Sequence, residues 1–378
     1  MKFLIAPDKL KGSLSAADAA DCIATGIRTA IPNAQIHLCP IADGGEGTVA
    51  AIVKARGGRL ITRRVTGPLP EMKVDASFAI LSDNTTAVIE MSAASGLALL
   101  STADRNPLNT TTFGTGELIV AAINEGAKKI ILGLGGSATI DAGIGMVQAC
   151  GFTVLTKNGE PTSMSEPLCG RDLSNILMVK HGRGEKTNGI EIIALADVTN
   201  PLCGPTGAPL TFGQQKGADA RIMHYLDVEL TNLSDRTGNQ VAAMSPGAGA
   251  AGGLGFGVIA FLSGKIANGF EFIAKEVGLK NRLNGVDLCI TAEGRLDSQT
   301  AHGKAVVGVA RLCKTQNVPC VALAGGIDGD LAWLAAEGLT NYFCIADTST
   351  SLEESMRHVR PLLTQAASRC IPKQLLTG

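Results

Sequence analysis

The sequence predicts an α/β protein: a five-stranded parallel sheet whose strands come from both ends of the chain, and a second α/β domain with a mixed sheet carried between them. Three observations lead there. Short unbroken apolar runs alternate with helical patterns at the two chain ends. In the middle, apolar runs follow one another through short turns. Composition agrees: 46 of the 378 residues are glycine and aromatics are only 3 %, so small aliphatic side chains must fill the core. A net charge of −1 with 45 % hydrophobic residues excludes a disordered chain.

The outer strands are expected in KFLIAP (2–7), QIHLCP (35–40), VDLCITAEG (286–294), VPCVALAGG (318–326) and NYFCIAD (341–347). Each run is continuous rather than alternating, as in strands covered on both faces. Ser15-x-x-Asp18 opens the first helix with a capping-box-like pair, and Pro32 closes it. Residues 45–56, 304–316, 330–338 and 352–367 supply further helical patterns. Strand–helix alternation gives a parallel sheet with right-handed crossovers, here of flavodoxin-like form. The middle is different. GRLITRRV (58–65), KVDASFAIL (73–81) and TTAVIEMS (85–92) are separated by the turn signals GPLP and SDN, so they are expected to pair antiparallel. KKIILGLGG (128–136), GFTVLT (151–156) and IEIIALAD (190–197) are further strands, while 157–189 reads as loop and turn. The expected division is therefore 1–57 with 284–378 for the parallel-sheet domain, and 58–283 for the inserted one.

No face is evidently basic and few rings are available to stack bases, so nucleic acid is not an expected partner. The N-terminal apolar run stops at Pro7 and Asp8, short of a signal sequence, and no run approaches the ~18 apolar residues of a membrane span. A soluble, cytoplasmic protein is expected, and a homo-oligomer is compatible with the sequence. The ten cysteines contain no C-x-x-C and read as reduced, mostly buried thiols; His37 and Cys39 share a strand face without further ligands nearby.

Ligands of parallel sheets bind outside the carboxyl ends of the strands. Four such ends carry charge, glycine or both: Asp8-Lys9-Leu10-Lys11-Gly12-Ser13, Asp43-Gly44-Gly45-Glu46-Gly47-Thr48, Glu293-Gly294-Arg295-Leu296-Asp297-Ser298 and Gly325-Gly326-Ile327-Asp328. Any one acid could simply cap a helix, but the set points to an anionic ligand. Glycines admit backbone N–H groups to phosphate or carboxylate oxygens, and lysines neutralise them. A second signal is Gly133-x-Gly135-Gly136-Ser137-Ala138, after a strand and before a helical pattern (140–150). It fits the phosphate half of the dinucleotide fingerprint; the ribose acid is weak, because Glu160 follows a turn rather than a strand. A third is the run 246–257, with Gly249, Gly252 and Gly253 among its six glycines, read as a loop that moves or approaches a ligand closely. A fourth is Asp197 in Asp197-Val198-Thr199-Asn200-Pro201, at a strand end. It suits a base or a Mg²⁺ ligand, or simply a turn. No Walker sequence, G-x-S-x-G elbow or H-E-x-x-H is present. Of five histidines, only His302 falls near a candidate loop.

Together these segments resemble the bacterial glycerate kinases. The resemblance is carried by APDKLKGSLSA (6–16), PIADGGEGT (40–48), LGLGGSATIDAGIGM (132–146), ADVTNPLCGPTGA (196–208), PGAGAAGGLGFG (246–257) and TAEGRLDSQTAHGKA (291–305), in family order from end to end. It implies ATP-dependent phosphorylation of D-glycerate in glyoxylate and sugar-acid catabolism, usually to 2-phosphoglycerate and in some members to the 3-phosphate. It also implies one flavodoxin-like domain and one resembling a restriction-enzyme core. Phosphoryl transfer asks the protein to position reactants and neutralise charge. On residue type and position, Lys9, Lys11, Ser13 and Arg295 are candidates for the substrate carboxylate and the transferring phosphate. Asp43 and Asp197 are candidates for the base. Asp197, Glu293 and Asp297 could hold Mg²⁺. Gly133, Gly135, Gly136, Ser137, Gly249, Gly252 and Gly253 would carry the phosphates of ATP. Two rival readings are an NAD(P)-linked dehydrogenase, from the 133–138 fingerprint, and a sugar-acid sensor that binds without catalysis.

Overall fold

The structure, a computed structural model, describes residues 1–182, 185–297, 300, 305–346 and 351–371. Its strands in chain order are β1 (Lys2–Ile5), β2 (Gln35–Leu38), β3 (Gly58–Thr66), β4 (Lys73–Leu81), β5 (Thr86–Glu90), β6 (Lys129–Gly133), β7 (Thr153–Thr156), β8 (Ile176–Lys180), β9 (Glu191–Ala196), β10 (Lys265–Asn268), β11 (Leu288–Glu293), β12 (Cys320–Ala324) and β13 (Asn341–Cys344). The chain divides into two compact units, Met1–Asp43 with Phe270–Gly378, and Gly44–Gly269.

The first unit holds the parallel sheet, in order β13-β12-β11-β1-β2. Numbered along this unit alone, that is the 2-1-3-4-5 order of flavodoxin-like sheets. Its central strands β1, β11 and β12 are almost wholly buried, as continuous apolar runs require. The edge strands are not. β2 alternates exposed and half-buried residues, and β13 exposes both ends, because each has one neighbour to cover it. The helix Ala16–Ala30 is capped by Ser15, whose hydroxyl accepts from Asp18 N–H at 3.1 Å. Its buried face packs on the helix Val359–Arg369 across Ala19, Ile23, Ile27, Leu363 and Ala367. Gly26 makes that approach close: a Cβ there would strike Thr364 O. The pattern at 330–338 gives only a short 3₁₀ turn, Ala332–Ala335, and that at 352–367 breaks into two helices at His358.

The second unit holds the mixed sheet, in order β10-β9-β6-β5-β4-β3. β3 and β4 pair antiparallel, as do β4 and β5; β5, β6, β9 and β10 run parallel. β7 leaves this sheet and forms a separate antiparallel pair with β8. The stretch 157–189 is therefore not only loop and turn. It contains β8 and a 3₁₀ turn, Gly170–Asn175, with Cys169 at its N-cap and Asp172 accepting from Cys169 N–H at 2.8 Å. The helix after β6 starts at Ile144 rather than Ile140, because Ala142 and Gly143 are left-handed (φ 56° and 73°). The segment 246–257 is a packed element rather than an open loop. Ala251, Gly252 and Gly253 are successive left-handed residues, and a helix runs on to Ala260. No helix among the described residues is long and apolar enough to cross a membrane.

Candidate active site

In the first unit the chain leaves β1 through Ala6 and Pro7 and turns at Asp8. The Asp8 carboxylate accepts from Lys9 N–H at 2.7 Å. The Lys9 ammonium extends to Asp43, after β2, donating to Oδ1 at 3.1 Å, and lies 3.7 Å from Asp8 Oδ1. Lys9 thus bridges two carboxylates from adjacent strand ends. Asp8 is only 8 % exposed. Burial and then the Asp43 charge push its pKa up to about 7, while Lys9 pulls it down.

The ends of β11 and β12 complete this edge. Thr300 Oγ1 donates to Glu293 Oε1 at 3.2 Å and accepts from Asp297 N–H at 3.0 Å, so one buried threonine ties both acids together. Arg295 is exposed and donates to Asp328, after β12, at 2.6 Å, with Asp297 3.7 Å away. The two loops lie side by side through Leu296 N–H to Gly326 O (2.9 Å) and Asp328 N–H to Leu296 O (2.9 Å). Lys11 is exposed and Ser13 half-exposed in the turn between Leu10 and Leu14. His302 lies outside the described residues.

In the second unit, the glycine-rich segments meet at the carboxyl ends of β6 and β9. Gly135 N–H donates to Gly44 O (3.2 Å), and Leu134 N–H to Leu195 O (3.1 Å). A Cβ on Gly133 would stand 2.7 Å from Gly44 O, and one on Gly135 2.5 Å from Gly45 Cα. Ala142 N–H donates to Gly252 O (3.2 Å), and Gly249 N–H to Asn200 O (2.9 Å). A Cβ on Gly252 would collide with Thr139 O, and one on Gly249 with Pro201 O. These glycines let four loops lie backbone to backbone, so packing alone accounts for most of them. Gly136 is the exposed member, left-handed at φ 81°. Asp197 is half-buried at the end of β9. Glu90, ending β5, accepts from Gly47 N–H (3.0 Å) and Val49 N–H (2.8 Å), capping the helix Thr48–Arg56 at its positive end.

The sequence matches the profile of the glycerate kinase family over residues 3–374. The chain belongs to the glycerate kinase family. It is 41 % identical to the glycerate kinase of Bacillus subtilis (strain 168), over 97 % of this chain and 96 % of that one. It is 40 % identical to the glycerate 2-kinase of Escherichia coli (strain K12), over 100 % and 99 %. A solved structure assigned as glycerate kinase 2 from Salmonella typhimurium LT2 superposes with a TM-score of 0.81 at 39 % identity, covering 98 % of this chain and 96 % of that one. The chain is accordingly a kinase enzyme acting on a small molecule.

For a glycerate kinase, the structure groups the sequence candidates by unit. Lys9, Asp43, Glu293, Arg295 and Asp297 line one sheet edge in the first unit; Asp197 and the glycine loops belong to the second. Two further residues stand out in the structure. Asp8 was visible beside Lys9, but its burial was not. Lys216 ends a short 3₁₀ turn in the polar run Gln214-Gln215-Lys216-Gly217, and it is buried against Ser137. The acids named above are the oxygen donors that suit Mg²⁺. A separate trio, Cys289, Cys313 and Cys320, brings three buried sulfurs within 4.8 Å of one another. Cys289 and Cys320 stand at the amino-terminal ends of β11 and β12, away from the charged edge.

Proposed function

We propose that this protein phosphorylates D-glycerate with ATP and Mg²⁺, giving 2-phosphoglycerate. The observation that carries this reading is the Asp8–Lys9–Asp43 cluster at a parallel sheet edge of a glycerate kinase family member. A three-carbon hydroxy acid offers a carboxylate and two hydroxyls, with almost no apolar surface. Lys9, Lys11 and Arg295 supply cations for its carboxylate and for charge on the transferring phosphoryl group, with Ser13 as a further polar contact. A carboxylate beside Lys9 takes the proton of the attacking hydroxyl. Asp43 is one candidate; Asp8 is another, because a carboxyl with a pKa near 7 matches the task of a base at neutral pH. Asp197 is the candidate from the second unit.

The 133–139 loop, with Gly136 exposed and Ser137 beside it, is the nucleotide phosphate site in this reading. It follows a parallel strand, where backbone N–H groups and glycine favour anions. Glu293 and Asp297 in the first unit, and independently Asp197 in the second, are the candidates to hold Mg²⁺, which neutralises phosphate charge when bound. The reading places the enzyme in sugar-acid catabolism in the cytoplasm. Incubation with D-glycerate and ATP-Mg, followed by phosphorus NMR, tests it. A new phosphomonoester on the C2 oxygen supports the reading. A C3 ester favours the 3-kinase alternative, and unchanged ATP removes both.

A further inference from the structure

Among the described residues, Lys216 is the one lysine or arginine that is fully buried, at 2 % exposure. Its ammonium carries three protons. It donates to Ser137 Oγ at 2.6 Å and to Thr139 O at 2.8 Å. No carboxylate oxygen of the described residues comes within 4.0 Å of it. The charged group acting on it is Asp141. That carboxylate is fully buried and already accepts from Thr112 N–H (2.8 Å), Thr112 Oγ1 (2.7 Å), Gly143 N–H (3.1 Å) and Gly145 N–H (3.4 Å). A buried cation without a carboxylate in contact is costly, and burial pulls Lys216 down to about 7.

The geometry gives that cost a purpose. A serine hydroxyl has a single proton. Lys216 donates into the Ser137 oxygen, so the Ser137 proton has to point away from the ammonium. Ser137 is 8 % exposed and follows Gly136, the exposed turn of the loop leaving β6. The hydroxyl is therefore oriented as a donor by a charge behind it. We propose that Lys216 is a positioning residue for the nucleotide: it aims the Ser137 hydroxyl at a phosphate oxygen and sets a positive charge behind the loop that receives it. This rests on the kinase reading above and adds a residue to the nucleotide site. A bound phosphate dianion favours the charged form of Lys216, so binding takes up a proton and affinity declines as pH rises above about 7.

Calorimetric titration with MgADP tests this, run between about pH 7 and pH 8.5 in buffers of different ionisation heat. The wild type is expected to take up part of a proton and to bind more weakly at the higher pH. Lys216→Met is expected to lose about tenfold in affinity or more at neutral pH, together with the proton uptake. Lys216→Arg restores affinity without the pH dependence, which a merely structural role would not separate. Ser137→Ala, a smaller change, is expected to weaken binding by several-fold and decides the matter if Lys216→Met does not fold. Wild-type affinity and proton uptake in the Lys216 variants, or unchanged affinity in Ser137→Ala, overturn the proposal and leave the kinase reading standing. A folded wild type that binds no nucleotide overturns both.

Discussion

Asp8 is held near pKa 7 by its burial and by the Asp43 carboxylate, against the pull of Lys9. Its native pKa lies above the ordinary aspartate value of 3.8, so the folded state binds more protons than the unfolded one between about pH 4 and pH 7. The stability due to protonated Asp8 is complete below that window and is lost as pH rises through it. Asp8→Asn removes the titration. Its melting temperature should match the wild type near about pH 4 and exceed it at pH 8, by about 2–4 °C for each kcal/mol of relieved strain. A variant less stable than wild type at pH 8 would show that the Lys9 contact outweighs burial. In a coupled ADP-release assay, Asp8→Asn and Asp43→Asn should each lower kcat about 10²-fold or more if that carboxylate is the base. Near wild-type turnover clears the residue of that role.

Loops and strands were legible to different degrees. The buried central strands were evident as unbroken apolar runs, and the antiparallel trio β3–β5 from its turns. β8 was not, because Leu177, Met178 and Lys180 are exposed and the strand lies in a two-stranded pair. β10 is four residues long and entered through Ser263 at φ 52°, leaving little pattern to read. Glycine bursts marked places of close backbone approach, but the approach is largely of loop to loop. Gly252→Ala should therefore be severe: its φ is 67° and the new methyl meets Thr139 O. A loss of more than about 2 kcal/mol in urea unfolding is expected, the left-handed backbone alone costing about 1–2. Gly189→Ala has a similar φ of 75° but nothing within 4 Å, so it should cost only the backbone part. Equal losses in the two would mean that loop packing adds nothing at Gly252.

At the scale of the molecule, two compact units divide the candidate machinery. The first supplies the acid and basic side chains of a parallel sheet edge; the second supplies the glycine-rich loops, Asp197 and Lys216. The five-stranded parallel sheet was readable from strand–helix alternation, and the charged strand ends from their sequence. The buried states of Asp8 and Lys216 were not, because each depends on partners far along the chain: Asp43 for one, Ser137 and Thr139 for the other. Family membership makes this chain a kinase. The low aromatic content fits a small charged substrate, which charges and backbone amides recognise better than rings do. The most direct measurement is phosphorus NMR of the products from D-glycerate and ATP-Mg. ADP together with one phosphomonoester on the C2 oxygen of glycerate is the expected result. Intact ATP, or an ester on C3, would contradict it.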